Sequence, residues 1–143
     1  FKRVNNALGV MAGDHLLREV ALRLQGGLQQ RSLTNAVLSR WHGDCFILLL
    51  PNIIDGQTVK QHCQWLLERL QDRFIVGGET VQLTGNAGIT FAPYDGDTYE
   101  LIIQHTELAS RRRSRSRATQ ENQSSCLGSG TSHRQLTIHH SLC

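Results

Sequence analysis

The chain has no long hydrophobic run. Its longest unbroken apolar stretch, Cys45 to Leu50, is far short of the 18 or more residues of a membrane-spanning helix, so no span is expected. It begins Phe1-Lys2-Arg3, with neither an initiating methionine nor a signal-peptide pattern, and reads as a piece of something longer. Cys45, Cys63, Cys126 and Cys143 are too scattered for a CxxC pair, which argues against a zinc site and for reduced thiols in a cytoplasmic setting. Prolines are scarce, only Pro51 and Pro93. Acidic charge is nearly absent from the last part: residues 111–143 hold six arginines and Glu121 alone, whereas 1–110 hold nine Lys/Arg against eleven Asp/Glu. The net charge of +3 therefore belongs to the tail, and the remainder is not expected to bind nucleic acid.

What is present reads as one α/β unit over residues 1–110. Phe1, Val4 and Leu8 make a short amphipathic segment, broken between Gly9 and Gly13. Asp14 stands where a helix N-cap belongs, ahead of the stripe Leu16, Leu17, Val20, Ala21, Leu24 and Leu28. Residues 36–41 read as a strand, and Phe46 to Leu50 as a strand buried on both faces, ended by Pro51. Asp55 or Gly56 opens a second long helix through Val59, Cys63, Leu66 and Leu70. Phe74-Ile75-Val76, the turn signal Gly77-Gly78, and residues 81–91 continue as strands, and Tyr99 to Leu108 as a last helix. From Arg111 the text becomes Arg/Ser-rich, with too little apolar surface to offset ordering entropy, so a disordered tail is expected at 111–143. Periodicity stops abruptly in mid-helix there, which raises a shifted reading frame as a second account of the tail.

Several motifs occur in a fixed order. Phe1-Lys2-Arg3-Val4-Asn5-Asn6 leads to Gly13-Asp14, and Leu16-Leu17-Arg18-Glu19-Val20-Ala21 follows. Arg40-Trp41-His42-Gly43-Asp44-Cys45-Phe46 reads as strand, turn and strand, and Asn86-Ala87-Gly88-Ile89-Thr90 comes later. Together they resemble the GGDEF domain of the diguanylate cyclase family, in a degenerate and truncated form with His-Gly-Asp-Cys-Phe for the signature. The resemblance implies a mostly antiparallel, nucleotidyl-cyclase-like central sheet flanked by helices, an α+β sandwich. The family's first strand would lie before Phe1. Lacking it, Phe46 to Leu50 would present an open backbone edge, and the isolated chain would be poorly soluble or molten.

The family joins two GTP molecules into cyclic di-GMP across two domains, with magnesium on the phosphates. Carried over residue by residue, Asn5 and Asp14 would bind the guanine edge, Lys2 the phosphates, and Asp44 a metal ion, with Gly43 letting the backbone approach the phosphates. His42 replaces a glycine, at a turn position expected to need positive φ and in space a nucleotide would use. Cys45 replaces an acid. His42, Asp44 and Cys45 are also readable as a soft-metal site. Leu33 and Ala36 stand where the family's inhibitory RxxD site would be, so feedback by that route is not expected.

The resemblance thus predicts a GGDEF domain of a cyclic di-GMP signalling protein without turnover, at most a GTP-binding regulatory module. Its partners would be a second GGDEF domain or an attached phosphodiesterase or sensor domain. The alternative is an active cyclase in the full-length protein.

Overall fold

The structure, a computed structural model, describes residues 1–53, 55–117 and 135–142; for 111–117 and 135–142 the description is of the backbone. Two helices open the chain, α1 (Lys2–Leu8) and α2 (Val10–Gln30), separated at Gly9, whose φ of 86° is left-handed and least costly for glycine. That break sets the start of α2. Asp14 consequently lies inside the helix, and its expected N-cap role is corrected: Gly9 holds the cap position. The predicted stripe is buried, with Leu16 and Val20 fully enclosed.

β1 (Val37–His42) and β2 (Cys45–Leu49) form a hairpin, and α3 (Gly56–Leu70) follows. Asp55 caps α3 as expected, its carboxylate accepting from the Gln57 and Thr58 amides at 3.2 and 2.8 Å. β3 (Phe74–Val76) and β4 (Glu79–Val81) pair as a separate two-stranded sheet. Gly77 and Gly78 turn between them with φ of 60° and 84°, the sense that matches strand twist. β5 (Gly85–Ala92), α4 (Tyr99–Arg117) and β6 (Gln135–Leu142) complete the chain.

The main sheet has the order β1-β2-β6-β5, antiparallel throughout. Alternation along the strands gives it two faces. Phe46, Leu48, Ala87 and Ile89 join the core built on α2 and α3. Gly88 and Thr90 face α4 instead, where the buried Thr90 and Thr106 hydroxyls lie 2.6 Å apart. No helix among the described residues is long and apolar enough to cross a membrane.

Two expectations change here. β2 does not present an open edge: β6 pairs with it from Phe46↔His140 to Leu49↔Thr137, and on its other side pairs with all of β5. The backbone groups of a strand buried on both faces need partners on both sides, and β6 supplies them. The tail expected to be disordered is helical through Arg117 and a strand at Gln135–Leu142, while residues 118–134 and 143 lie outside the described residues.

Arg23 ties α2 to the far end of α3. Its guanidinium donates to the carbonyls of Asp72, Arg73 and Arg69 at 2.8, 3.0 and 3.4 Å and lies 3.5 Å over the Phe74 ring. The α3 surface also holds His62, whose Nδ1 is buried with no hydrogen-bond partner. Burial, and secondarily the Arg31 charge, push its pKa below the usual 6.5. A histidine held neutral binds fewer protons folded than unfolded, so its contribution is complete above about pH 6.5 and is lost as pH falls below that value. Thermal midpoints measured between about pH 7.5 and 5.5 should fall toward acid, and His62→Gln should flatten part of that slope.

Candidate functional site

The hairpin turn is built by Gly43 and Asp44 between the paired residues His42 and Cys45. The left-handed conformation falls on Gly43, φ 53°, and the Arg40 Nε donates to the Gly43 carbonyl at 2.9 Å, closing the turn from below. The positive φ expected at His42 is therefore corrected. His42 is the last residue of β1, extended and paired, so a side chain there costs no backbone strain. Its Nε2 lies 3.9 Å from Glu107 Oε1 on α4, and the neighbouring Trp41 meets Tyr99 edge-on with ring centroids 5.8 Å apart. At 60% exposure for the histidine side chain, this contact adds little energy.

Cys45 is buried, at 5% exposure, so a thiol occupies an enclosed position beside the turn. Asp44, half-buried, is the one carboxylate of the turn. Among the described residues no three His, Cys, Asp or Glu side chains gather as a metal-holding group, which removes the soft-metal reading of His42, Asp44 and Cys45. A magnesium ion held by one carboxylate draws the rest of its shell from water and from a nucleotide's phosphates, so Asp44 suits the ion only together with such a ligand.

A cleft of about 290 Å³ lies between α2 and the hairpin. Asp14, Arg18, Ala21 and Gln25 line it from one face of α2, at helical spacing, and Leu38, Arg40 and Phe46 from the strands. It is an open cleft of mixed lining, in which an acid, an amide and two guanidinium groups stand beside apolar side chains. Of the expected nucleotide positions, Asp14 lines this cleft; Asn5, Lys2, Gly43 and Asp44 are not among its lining residues. Arg40 links the two parts, since it lines the cleft and closes the turn. Sequence reading missed Arg18 and Gln25, although their spacing from Asp14 carried the signal.

Asn5 stands where α1 crosses α2 at Gly13. Its Oδ1 is buried and has no hydrogen-bond partner. An orphan acceptor costs on the order of 1–3 kcal/mol and is a group that a ligand's N–H would satisfy. Gly13 makes the approach possible: a Cβ there would sit 1.8 Å from Asn5 Oδ1 and 3.1 Å from the Phe1 ring. Gly13→Ala is expected to lower stability by about 1 kcal/mol, because the Asn5 amide and the Phe1 ring must move aside, read as a drop in the urea midpoint. Lys2 is exposed on α1. Leu33 and Ala36, at the RxxD positions, pack partly buried against the core.

A family model described as "Diguanylate cyclase, GGDEF domain" matches residues 1–122. The cyclic di-GMP phosphodiesterase PdeR of Escherichia coli is 33% identical over 76% of the chain and 16% of its own length. The cyclic di-GMP phosphodiesterase NbdA of Pseudomonas aeruginosa is 28% identical over 76% of the chain and 13% of itself. The diguanylate cyclase TpbB of the same species is also 28% identical, over 76% of the chain and 24% of itself. The chain thus spans a quarter or less of each of these relatives. The crystal structure of the TpbB GGDEF domain superposes with a TM-score of 0.67 at 23% identity, covering 80% of this chain and 70% of that one, a likeness of fold.

Proposed function

The chain belongs to the GGDEF family of diguanylate cyclase domains, and from that premise we propose that it is a GTP-binding regulatory domain of a cyclic di-GMP signalling protein that does not itself turn over. The observation that carries the reading is the hairpin. A buried Cys45 thiol stands where the family resemblance asks for an acid, leaving Asp44 as the turn's only carboxylate. Phosphoryl transfer develops negative charge that metal ions must neutralise, and loss of one carboxylate from their shell costs several kcal/mol of that stabilisation. At about 1.4 kcal/mol per tenfold, this lowers the rate by orders of magnitude.

Binding asks for less. Asn5 Oδ1 and the Asp14 carboxylate are acceptors suited to the N–H edge of guanine, and Gly43, with no side chain, would let the phosphates approach the turn. A magnesium ion would enter with the nucleotide, on Asp44. Relatives described as cyclic di-GMP phosphodiesterases make an attached phosphodiesterase domain the partner this reading favours.

Calorimetric titration with GTP and magnesium should give a saturable heat, weakened at least about tenfold by Asp14→Ala, the loss expected for one hydrogen bond to a charged group. The same protein incubated with GTP and magnesium should yield no cyclic di-GMP. Product formed well above an Asp44→Ala control would refute the loss of turnover, and the absence of heat from a sample with a cooperative melt would refute binding.

A further inference from the structure

α4 changes character at Ser110. Before it the helix is packed: Ile102, Thr106 and Ser110 are buried, and Thr106 and Ser110 lie close against Gly88 of β5. The helix then runs on through residues 111–117, every one of them arginine or serine. The arginines stand at 111, 112, 113, 115 and 117. Helical spacing makes neighbours of residues three and four apart, and like charges so placed weaken a helix. Arg111 with Arg115, Arg113 with Arg117 and Arg112 with Arg115 are such pairs. Glu107, four positions before Arg111, is the last acid of α4. No acidic residue stands three or four positions from Arg112, Arg113 or Arg115 in either direction. The negative end of the helix dipole favours cations in the last turn, so the helix bears this charge without neutralising it.

We propose that residues 111–117, the last two turns of α4, bind nucleic acid through its phosphate backbone. A polyanion removes the repulsion that nothing within those turns removes, so helix and ligand stabilise each other. What the segment lacks selects the polyanion. A helix that lies on a membrane needs an apolar face of Trp, Phe or Leu beside its cations, and residues 111–117 hold no apolar residue. Nucleic acid asks only for cations that meet phosphates, and each contact releases condensed counterions. The cations here are all arginine, whose planar guanidinium fork pairs with two phosphate oxygens at once. Two turns of helix are roughly 10 Å long, and over that length duplex DNA presents about six phosphate charges, enough for every arginine of the segment. This contact lies outside the cleft and is independent of whether GTP binds there.

The test titrates the full chain into a labelled duplex DNA and a labelled single-stranded RNA, both of mixed sequence, and reads fluorescence anisotropy at a series of salt concentrations. Saturable binding at low salt is expected. For the duplex, log Kd should rise with log salt at a slope of about 4, the value for four to five neutralised phosphates. A variant carrying Arg112→Gln, Arg113→Gln and Arg115→Gln, glutamine being a good helix former, should bind at least about tenfold more weakly and lose more than half of that slope. Asp14→Ala, in the cleft, should leave both quantities unchanged. Vesicles of phosphatidylcholine and phosphatidylserine should not compete. Absence of binding at low salt, by a sample with a cooperative melt, overturns the proposal. So does an unchanged affinity in the triple glutamine variant, which would place the contact elsewhere, and so does displacement of the nucleic acid by the vesicles.

Discussion

Gly88→Ala should be among the most damaging single-methyl changes available to this domain, lowering stability by about 3 kcal/mol or more. The reason is local and steric. A Cβ at Gly88 would lie 2.1 Å from the Thr106 carbonyl oxygen and 2.8 Å from the Ser110 amide nitrogen, both main-chain atoms of α4. A flexible side chain could move aside, but a helix backbone has to translate as a unit. Translation would also part the buried Thr90 and Thr106 hydroxyls, and Thr106 Oγ1 donates to the Ile102 carbonyl at 2.6 Å. Chemical denaturation with matched far- and near-ultraviolet circular dichroism measures the effect. Gly26→Ala is the control. Its Cβ, on the helix α2, meets nothing within 4 Å, and the change should add about 0.5–1 kcal/mol through helix propensity. If Gly88→Ala and Gly26→Ala shift the midpoint alike, the close contact between β5 and α4 is not as described.

Phe46→Ala should cost about 3–5 kcal/mol, the range for removing a buried aromatic ring. The ring is 3% exposed. It lines both the cleft with Asp14 and Arg40 and an apolar pocket of about 30 Å³ whose lining includes Leu24, Cys63, Leu66 and Leu70. Truncation would merge the two and open the core to the cleft. The expected signature is a double one: a large fall in the urea midpoint, and loss of GTP heat even under conditions where the variant remains folded. Phe46→Leu keeps most of the volume and should cost less than about 1.5 kcal/mol. A Phe46→Ala loss as small as that of Phe46→Leu would mean that the ring does not wall off the core.

Much of the fold was legible because periodicity reports burial. The stripe from Leu16 to Leu28 and the run from Phe46 to Leu50 are buried as read, and the Gly77-Gly78 turn and the Asp55 cap stand where they were placed. The Asp14 cap was misread because two chain breakers compete in the segment from Gly9 to Gly13. Gly9 adopts the left-handed conformation that ends α1, whereas Gly13 stays helical and serves a close crossing with Asn5. Local sequence cannot tell these two uses of glycine apart. β6 was illegible for another reason. Its short alternating segment follows a polar stretch, and what calls it into the sheet is the pairing demand of β2 and β5, strands more than forty residues upstream. The site divided along the same line. The turn and its substitutions were readable from residues 42–45, but the Arg40 clamp and the Glu107 contact with His42 arise only from tertiary placement.

The Arg23 anchor has a consequence for how the molecule meets a protease. Trypsin needs an arginine on a segment that can leave the surface and extend into its active-site groove. The stretch from Arg69 to Arg73 offers two exposed arginines, one in the last turn of α3 and one in the connection beyond it, the usual profile of a nicking site. Here the carbonyls of Arg69, Asp72 and Arg73 are all held by one guanidinium that is itself pinned on the Phe74 ring. The backbone that trypsin would have to pull out is clasped at each of those residues, so digestion should spare this turn until the rest of the domain opens.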